Sequence, residues 1–417
     1  MRKKVSVNLG NLLLSLSEIP DIANPSISQH QHRTAFIALK IVQAAGLRPE
    51  EIERIFMAAL LHDIGAVTVE EKISVHNFKK VNENDHALKG EMLIEEIPWL
   101  RKISKIVGNH HKIWAEYEEG IDNQDAFAAQ VILLSDYVER LILRDKYILF
   151  QNRDIIETIK KLESLELNKK VIEYFIDVSE KEEFWLDLVS PRLYEFLLNN
   201  GPFRDIQIDL DNILLISNLY RDLIDFKSRF TATHTAGVSA CAAKIAELFG
   251  MAVVDVKSMR IAGNLHDIGK LVIPNSILEK PGKLTAQEFE VIKCHTYYTY
   301  HTINSIGGLQ RIAEWAAFHH EKLDGSGYPF HCCAEEIGTG SRILTVADIF
   351  TAISEDRPYR KGMDKNQIYS IIDEQSRNGL LDKRVVELLF DNYDYINGYV
   401  KEEQAKSRRF YENRFNI

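Results

Sequence analysis

Apolar residues recur at three- and four-residue steps along most of the chain, the spacing that lines one face of an α-helix. The pattern predicts helices from Ala35 to Ala45, Ile52 to His62, Ala126 to Leu143, Val238 to Phe249 and Ser258 to His266. Strict apolar–polar alternation, the mark of a half-buried strand, is scarce. Residues 144–205 keep helical spacing, as in Asp154-Ile155-Ile156-Glu157-Thr158-Ile159, until Asn199-Asn200-Gly201-Pro202 breaks it. Gly and Pro stop helices. An all-α fold follows.

The polar residues embedded in this pattern occur twice in the same order. His30, His62-Asp63, His86, His110-His111 and Asp136 in the first half answer His234, His266-Asp267, His295, His319-His320 and Asp348 in the second. The step from the first His to the His-Asp pair is 32 residues in both copies, and from the lone His to the His-His pair it is 24 in both. The lone His lies five residues nearer the His-Asp pair in the first copy. Flanking sequence agrees: Val7-Asn8-Leu9 echoes Ile208-Asp209-Leu210, and Gly46 matches Gly250. A duplicated unit is therefore expected as two tandem helical bundles, residues 1–150 and 206–417, joined by a helical linker over 151–205. A chain of 417 residues suits two cores better than one.

Composition narrows the setting. A hydrophobic content of 45% with 27% charged residues describes a globular protein. The net charge of −10 argues against a nucleic-acid partner held on a basic surface. Met1-Arg-Lys-Lys before Leu12-Leu13-Leu14 has a leader's outline, but Asn8, Gly10, Asn11, Ser15 and Ser17 interrupt it. No run reaches the roughly 18–20 apolar residues that span a bilayer, so no membrane partner is expected. Cys241, Cys294, Cys332 and Cys333 lack metal-binding spacing and read as free thiols in a reducing compartment. A cytoplasmic location is the expectation.

The candidate chemistry lies in the second copy. Neighbouring histidines on a helix point about 100° apart, so His319 and His320 both reach a metal only if the centre holds more than one ion or is wide. Asn264-Leu265-His266-Asp267-Ile268-Gly269-Lys270 precedes them, and Lys270 follows the His-Asp pair by one turn, on the same face. His319-His320 opens the run HHEKLDGSGYP, closing on Gly327-Tyr328-Pro329; Asp348 and Arg357-Pro358-Tyr359-Arg360 follow. Imidazoles with a few carboxylates suit iron, manganese, zinc or nickel better than calcium. A metal pair would acidify a bound water and clamp an anionic oxygen, the means of a hydrolytic step. Of the 14 histidines, only His32, His76, His301 and His331 fall outside the two sets, and these read as surface residues.

With these segments in this order, residues 208 to 395 resemble the HD-GYP family, metal-dependent phosphodiesterases that cleave cyclic dinucleotides. The first half resembles a second, degenerate HD copy. The resemblance implies two divalent ions, iron or manganese first and nickel, zinc or cobalt as alternatives. They would be shared by His234, His266, Asp267, His295, His319, His320 and Asp348, with Asp267 bridging and catalytic. Lys270 would hold the scissile phosphate or the leaving oxygen, and Tyr328, Arg357 and Arg360 would meet the substrate. Glu321 and Asp324 would order the GYP loop. Some members bind a third ion through a glutamate four residues before the first His; Phe230 stands there, so a dinuclear site is expected.

Cyclic di-GMP, cut to linear pGpG or GMP, is the first substrate expectation. 3′,3′-Cyclic GMP-AMP is the alternative, and a non-catalytic sensor that signals through the first lobe is a third reading. The first copy keeps a second candidate metal set in His30, His62, Asp63, His86, His110, His111 and Asp136. Ala66 replaces the lysine, Lys112-Ile113-Trp114 replaces the GYP run, and Arg144-Asp145-Lys146-Tyr147 stands where Asp356-Arg357-Pro358-Tyr359 would be. A regulatory or scaffolding lobe is expected there. A second copy of the chain or a signalling protein is a candidate partner.

Overall fold

The computed structural model describes residues 5–22, 27–76, 83–118, 120–227, 233–356 and 361–415. Between turns and loops their regular elements are helices apart from two three-residue strands, Ser6–Asn8 and Gln207–Asp209, which pair with each other. The chain divides into two compact units, Asn8–Gln207 and a second made of Ile208–Ile417 with the residues up to Val7. The expected helices are all present, each with an earlier start: His30–Ala44, Pro49–Leu61, Gln124–Arg140, His234–Leu248 and Val253–Leu265.

The two halves of the duplication begin alike. Each strand runs straight into a helix, Leu9–Ile22 or Leu210–Lys227. The residue at the junction caps it: Asn8 Oδ1 accepts from Asn11 N at 2.8 Å, and Asp209 Oδ1 from Asn212 N at 3.2 Å. Those bonds satisfy amide donors that a helix start leaves open. Near the far end of each helix a buried aspartate receives the next one. Asp21 Oδ2 accepts from Gln31 N (3.0 Å) and Asp225 Oδ1 from Thr235 N (3.0 Å). The chain thereby delivers His30 and His234 as the first residue of their helices.

In the N-terminal unit the His30–Ala44 helix packs against helices both before and after it in sequence. Phe36, Phe56, Phe175, Trp185 and Phe203 are its largest buried side chains. Residues 152–200, set apart as a linker from sequence, form four helices that pack here. Phe36 meets Phe184 at 5.7 Å and Phe196 at 5.4 Å between ring centroids. The apolar stripe of an amphipathic helix needs a partner surface; the helices Lys169–Ser179, Glu182–Leu188 and Leu193–Asn200 find theirs on the His30–Ala44 helix, and Asn152–Lys160 packs on Gln124–Arg140 and Lys169–Ser179. In the C-terminal unit, the helices His234–Leu248, Val253–Leu265, Thr339–Ser354 and Tyr393–Phe415 enclose Met259, Ile245, Ile343 and Phe350.

Two histidines assigned to the surface lie elsewhere. His32 is fully buried, with Nε2 3.0 Å from the Leu14 carbonyl and its ring against Tyr194. Its helix is covered on several sides, so position on that helix does not decide exposure. His76 sits with Nδ1 3.6 Å from Glu139 Oε2. All four cysteines are free, and among the described residues no helix is long and apolar enough to cross a membrane.

Candidate metal centre

Five elements of the C-terminal unit bring the second set of motif residues together. His234 opens its helix, and His266 and Asp267 follow the Val253–Leu265 helix directly. His295 lies within the helix Ala286–Ser305, His319 and His320 end the 3-10 turn Phe318–His320, and Asp348 lies in Thr339–Ser354. A turn over Ile268–Val272 carries Lys270 back toward Asp267. Gly269 permits this, since a Cβ there would run into the His295 carbonyl. Gly65 stands in the same relation to the His86 carbonyl in the first unit.

The donor atoms fall into two groups, His234 with His266 and Asp348, and His295 with His319 and His320. Asp267 stands between them. Its Oδ2 is 3.2 Å from His266 Nε2, while Oδ1 is 3.4 Å from His295 Nε2 and 3.8 Å from His319 Nε2. His234 Nε2 is 3.1 Å from Asp348 Oδ1. Two donors each about 2.1 Å from one ion stand about 3.0–3.4 Å apart, so several of these separations suit ligands of a shared cation.

The tethering of the rings supports this reading. Nδ1 of His266 faces the Gly263 carbonyl at 2.8 Å, that of His295 the Ile292 carbonyl at 2.6 Å, and that of His319 the Ala316 carbonyl at 2.7 Å. A carbonyl accepts only, so each Nδ1 carries the proton and each Nε2 presents a lone pair. His295 Nε2 and His319 Nε2 then face each other at 3.5 Å with no proton between them. His266 Nε2 and Asp267 Oδ1 are buried without a hydrogen-bond partner. Bare, converging acceptors of this kind fit a metal cation, and tethering by the other ring nitrogen is how such ligands are oriented.

Electrostatics prepare the second group for metal. Burial pushes His295 down to about 3 and His320 to about 4, and holds His319 well below its ordinary value. All three are neutral at pH 7, the state that ligates. Burial opposes the charge of Asp267, yet His266 and Lys270 keep its carboxyl well below the usual carboxylate range. Lys270 Nζ lies 2.6 Å from Asp267 Oδ2. His234 differs: against the cost of burial, Glu355 and Asp348 raise it to about 10.

The GYP loop closes over the second group. Glu321 accepts from Phe330 N at 2.8 Å and Cys332 N at 3.1 Å, and Asp324 accepts from Ser326 N at 3.0 Å. The Tyr328 ring is 4.9 Å from that of His320. Arg357, Arg360 and Phe230 lie outside the described residues.

The N-terminal unit gathers its own set. Asp63 Oδ2 is 3.5 Å from His30 Nε2 and 3.7 Å from His62 Nε2, and its Oδ1 is 3.1 Å from His86 Nε2 and 3.6 Å from His110 Nε2. Asp136 Oδ1 is 3.5 Å from His30 Nε2, while its Oδ2 is taken by Arg140 Nη1 at 2.9 Å. His111 Nε2 is 3.1 Å from His86 Nε2. The residues after His111 are tied elsewhere: Trp114 N donates to the Glu166 carbonyl and Ala115 N to that of Leu165.

Two carboxylates near these centres escaped the sequence reading. Glu139 Oε2 is 2.6 Å from His30 Nδ1, and Glu355 Oε1 is 3.2 Å from His234 Nδ1. Their helical offsets from Asp136 and Asp348, one turn and two turns, were the available signal.

Comparison with known proteins agrees with the duplication. Models of the HD domain match residues 27–141 and residues 218–385. The chain is 29% identical over 397 residues to 3′3′-cGAMP-specific phosphodiesterase 1 of Vibrio cholerae, covering 93% of this chain and 92% of the relative. It is 40% identical over 160 residues to a cyclic di-GMP phosphodiesterase of Thermotoga maritima, covering 38% of this chain and 42% of the relative. The crystal structure of a cyclic GMP-AMP-specific phosphodiesterase of V. cholerae shares the fold. Its TM-score is 0.64 at 22% identity, over 93% of this chain and 98% of that one. The chain belongs to the HD superfamily, with two HD domains and the GYP run in the second.

Proposed function

We propose that the protein is a cyclic dinucleotide phosphodiesterase, whose C-terminal unit opens a phosphodiester at a dinuclear metal centre. The observation that carries this reading is the Asp267 carboxylate, which turns one oxygen to each histidine group and holds Lys270 beside it. Two ions held by His234, His266, Asp267, His295, His319, His320 and Asp348 would supply Lewis acidity and a more acidic water. Lys270, partly exposed, carries a cation on a short tether where a phosphoryl oxygen gathers charge. Tyr328 offers a ring face beside His320 for a base.

The substrate we favour is 3′,3′-cyclic GMP-AMP. Similarity along nearly the whole of the first V. cholerae relative, both HD units included, supports it. Cyclic di-GMP is the second reading, supported by the higher identity to the Thermotoga protein over a shorter stretch. The N-terminal unit, without a lysine at Ala66, serves as a regulatory or scaffolding lobe.

The test is anaerobic purification with iron or manganese and parallel assays on both cyclic dinucleotides. Hydrolysis that His266→Ala and Lys270→Ala remove is the expected result. If wild type turns over neither nucleotide faster than these variants, the enzyme reading fails and a binding-only sensor replaces it.

A further inference from the structure

The two units hold their first histidine by different means. In the N-terminal unit, Glu139 stands three residues after Asp136 and takes His30 Nδ1 at 2.6 Å. Arg33, three residues after His30, brings Nη1 to 3.7 Å from the same carboxylate. In the C-terminal unit both supporting side chains are gone: the matching positions are Thr351 and Gly237. Thr351 spends its hydroxyl on the Ala347 carbonyl at 2.8 Å.

Two residues from further along the chain occupy that space. Glu355, one turn beyond Thr351 and buried, brings Oε1 to 3.2 Å from His234 Nδ1. Gln404, from the closing helix Tyr393–Phe415, donates its amide to Glu355 Oε2 at 3.1 Å and to the Thr233 carbonyl at 3.4 Å. Gly237 makes this approach available, because a Cβ there would stand 2.7 Å from Gln404 Nε2 and 2.8 Å from Thr351 Cγ2. The losses at 351 and 237 and the gains at 355 and 404 form one coherent exchange.

We infer that Glu355, fixed by Gln404, is the positioning residue for His234, and that the closing helix thereby belongs to the metal centre. A partner on Nδ1 fixes the ring plane and raises the basicity of Nε2. A glutamate at position 351 could do the same from the preceding turn, as Glu139 does. The inference rests on reading the C-terminal unit as a metal centre.

The test is Mn(II) titration by calorimetry of the metal-free full chain, with turnover followed separately. Glu355→Ala is expected to weaken the site holding His234 by about 10- to 100-fold. Glu355→Gln, which keeps an acceptor, loses less. Gln404→Leu gives a smaller loss in the same site. The decisive variant is Thr351→Glu with Glu355→Ala, which re-creates the N-terminal arrangement and is expected to recover about tenfold or more of the lost affinity. Unchanged Mn(II) binding in Glu355→Ala overturns the positioning role, and so does a double variant no better than Glu355→Ala alone. Wild type that takes up no Mn(II) in this unit overturns the metal-centre reading itself.

Discussion

Lys270 Nζ lies 2.6 Å from Asp267 Oδ2, so the cation of the C-terminal centre is tethered to the carboxylate between its two histidine groups. The corresponding position in the first unit is Ala66, and a buried arginine, Arg140, pairs instead with Asp136 at 2.9 Å. The tether places Lys270 at the edge of the cluster without making it a ligand. Lys270→Ala should therefore lower kcat by about 10²–10³, the usual cost of one oxyanion donor, and leave the metal content unchanged. Metal analysis beside steady-state kinetics checks this; loss of metal in the variant would make Lys270 a structural residue.

Asp267 and Asp63, each set among histidines, separate the roles of the units. Asp267→Asn is expected to abolish turnover and lower the metal count. Asp63→Asn, buried among His30, His62, His86 and His110, is expected to lower the metal count and keep turnover within about threefold, a change of under 1 kcal/mol in barrier. Turnover lost equally in both variants would show that the first unit takes part in catalysis.

Acid should loosen the metal-free protein. Burial holds His62 and His320 to about 4 and His295 to about 3, below the ordinary 6.5. Each therefore protonates more readily in the unfolded chain. These groups carry no penalty above 6.5 and destabilise the fold increasingly as pH falls through the window down to about 3–4. His234, raised to about 10, acts in the other sense. Its contribution is complete below 6.5 and fades only toward 10, so it does not offset the loss on acidification. Thermal melts of chelator-treated protein should show Tm falling steadily below about pH 6.5; a flat or rising Tm would contradict this assignment of neutral histidines.

Much of the centre was legible because its residues are rare, ordered and written twice. Histidine steps of 32 and 24 residues survive in both copies, since each step must span a fixed length of helix between ligands. Glu355 and Gln404 were less legible. The two-turn offset of Glu355 from Asp348 was its one local signal, and nothing local pointed to Gln404, whose approach depends on space opened by Gly237 on another helix. His32 was misplaced for a related reason: the polar identity of a residue does not report that its helix is packed on several sides. The stretch 151–205 kept helical periodicity, but periodicity names an apolar face without naming what covers it.

That stretch supplies the final prediction. Trp185 is fully buried, meets Phe184 and Phe175 at 5.2 and 6.3 Å between centroids, and donates its indole N–H to the Ser179 carbonyl at 2.8 Å. A flexible connector would tolerate its loss. A core member would not: Trp185→Ala removes a large apolar volume, leaves a cavity, and should cost about 3–5 kcal/mol. The expected result is a lower Tm or an early unfolding transition, with the hydrolysis rate at about 25 °C retained because the change lies in the N-terminal unit, which holds none of the residues of the C-terminal centre. A melt indistinguishable from wild type would return residues 151–205 to the status of a linker.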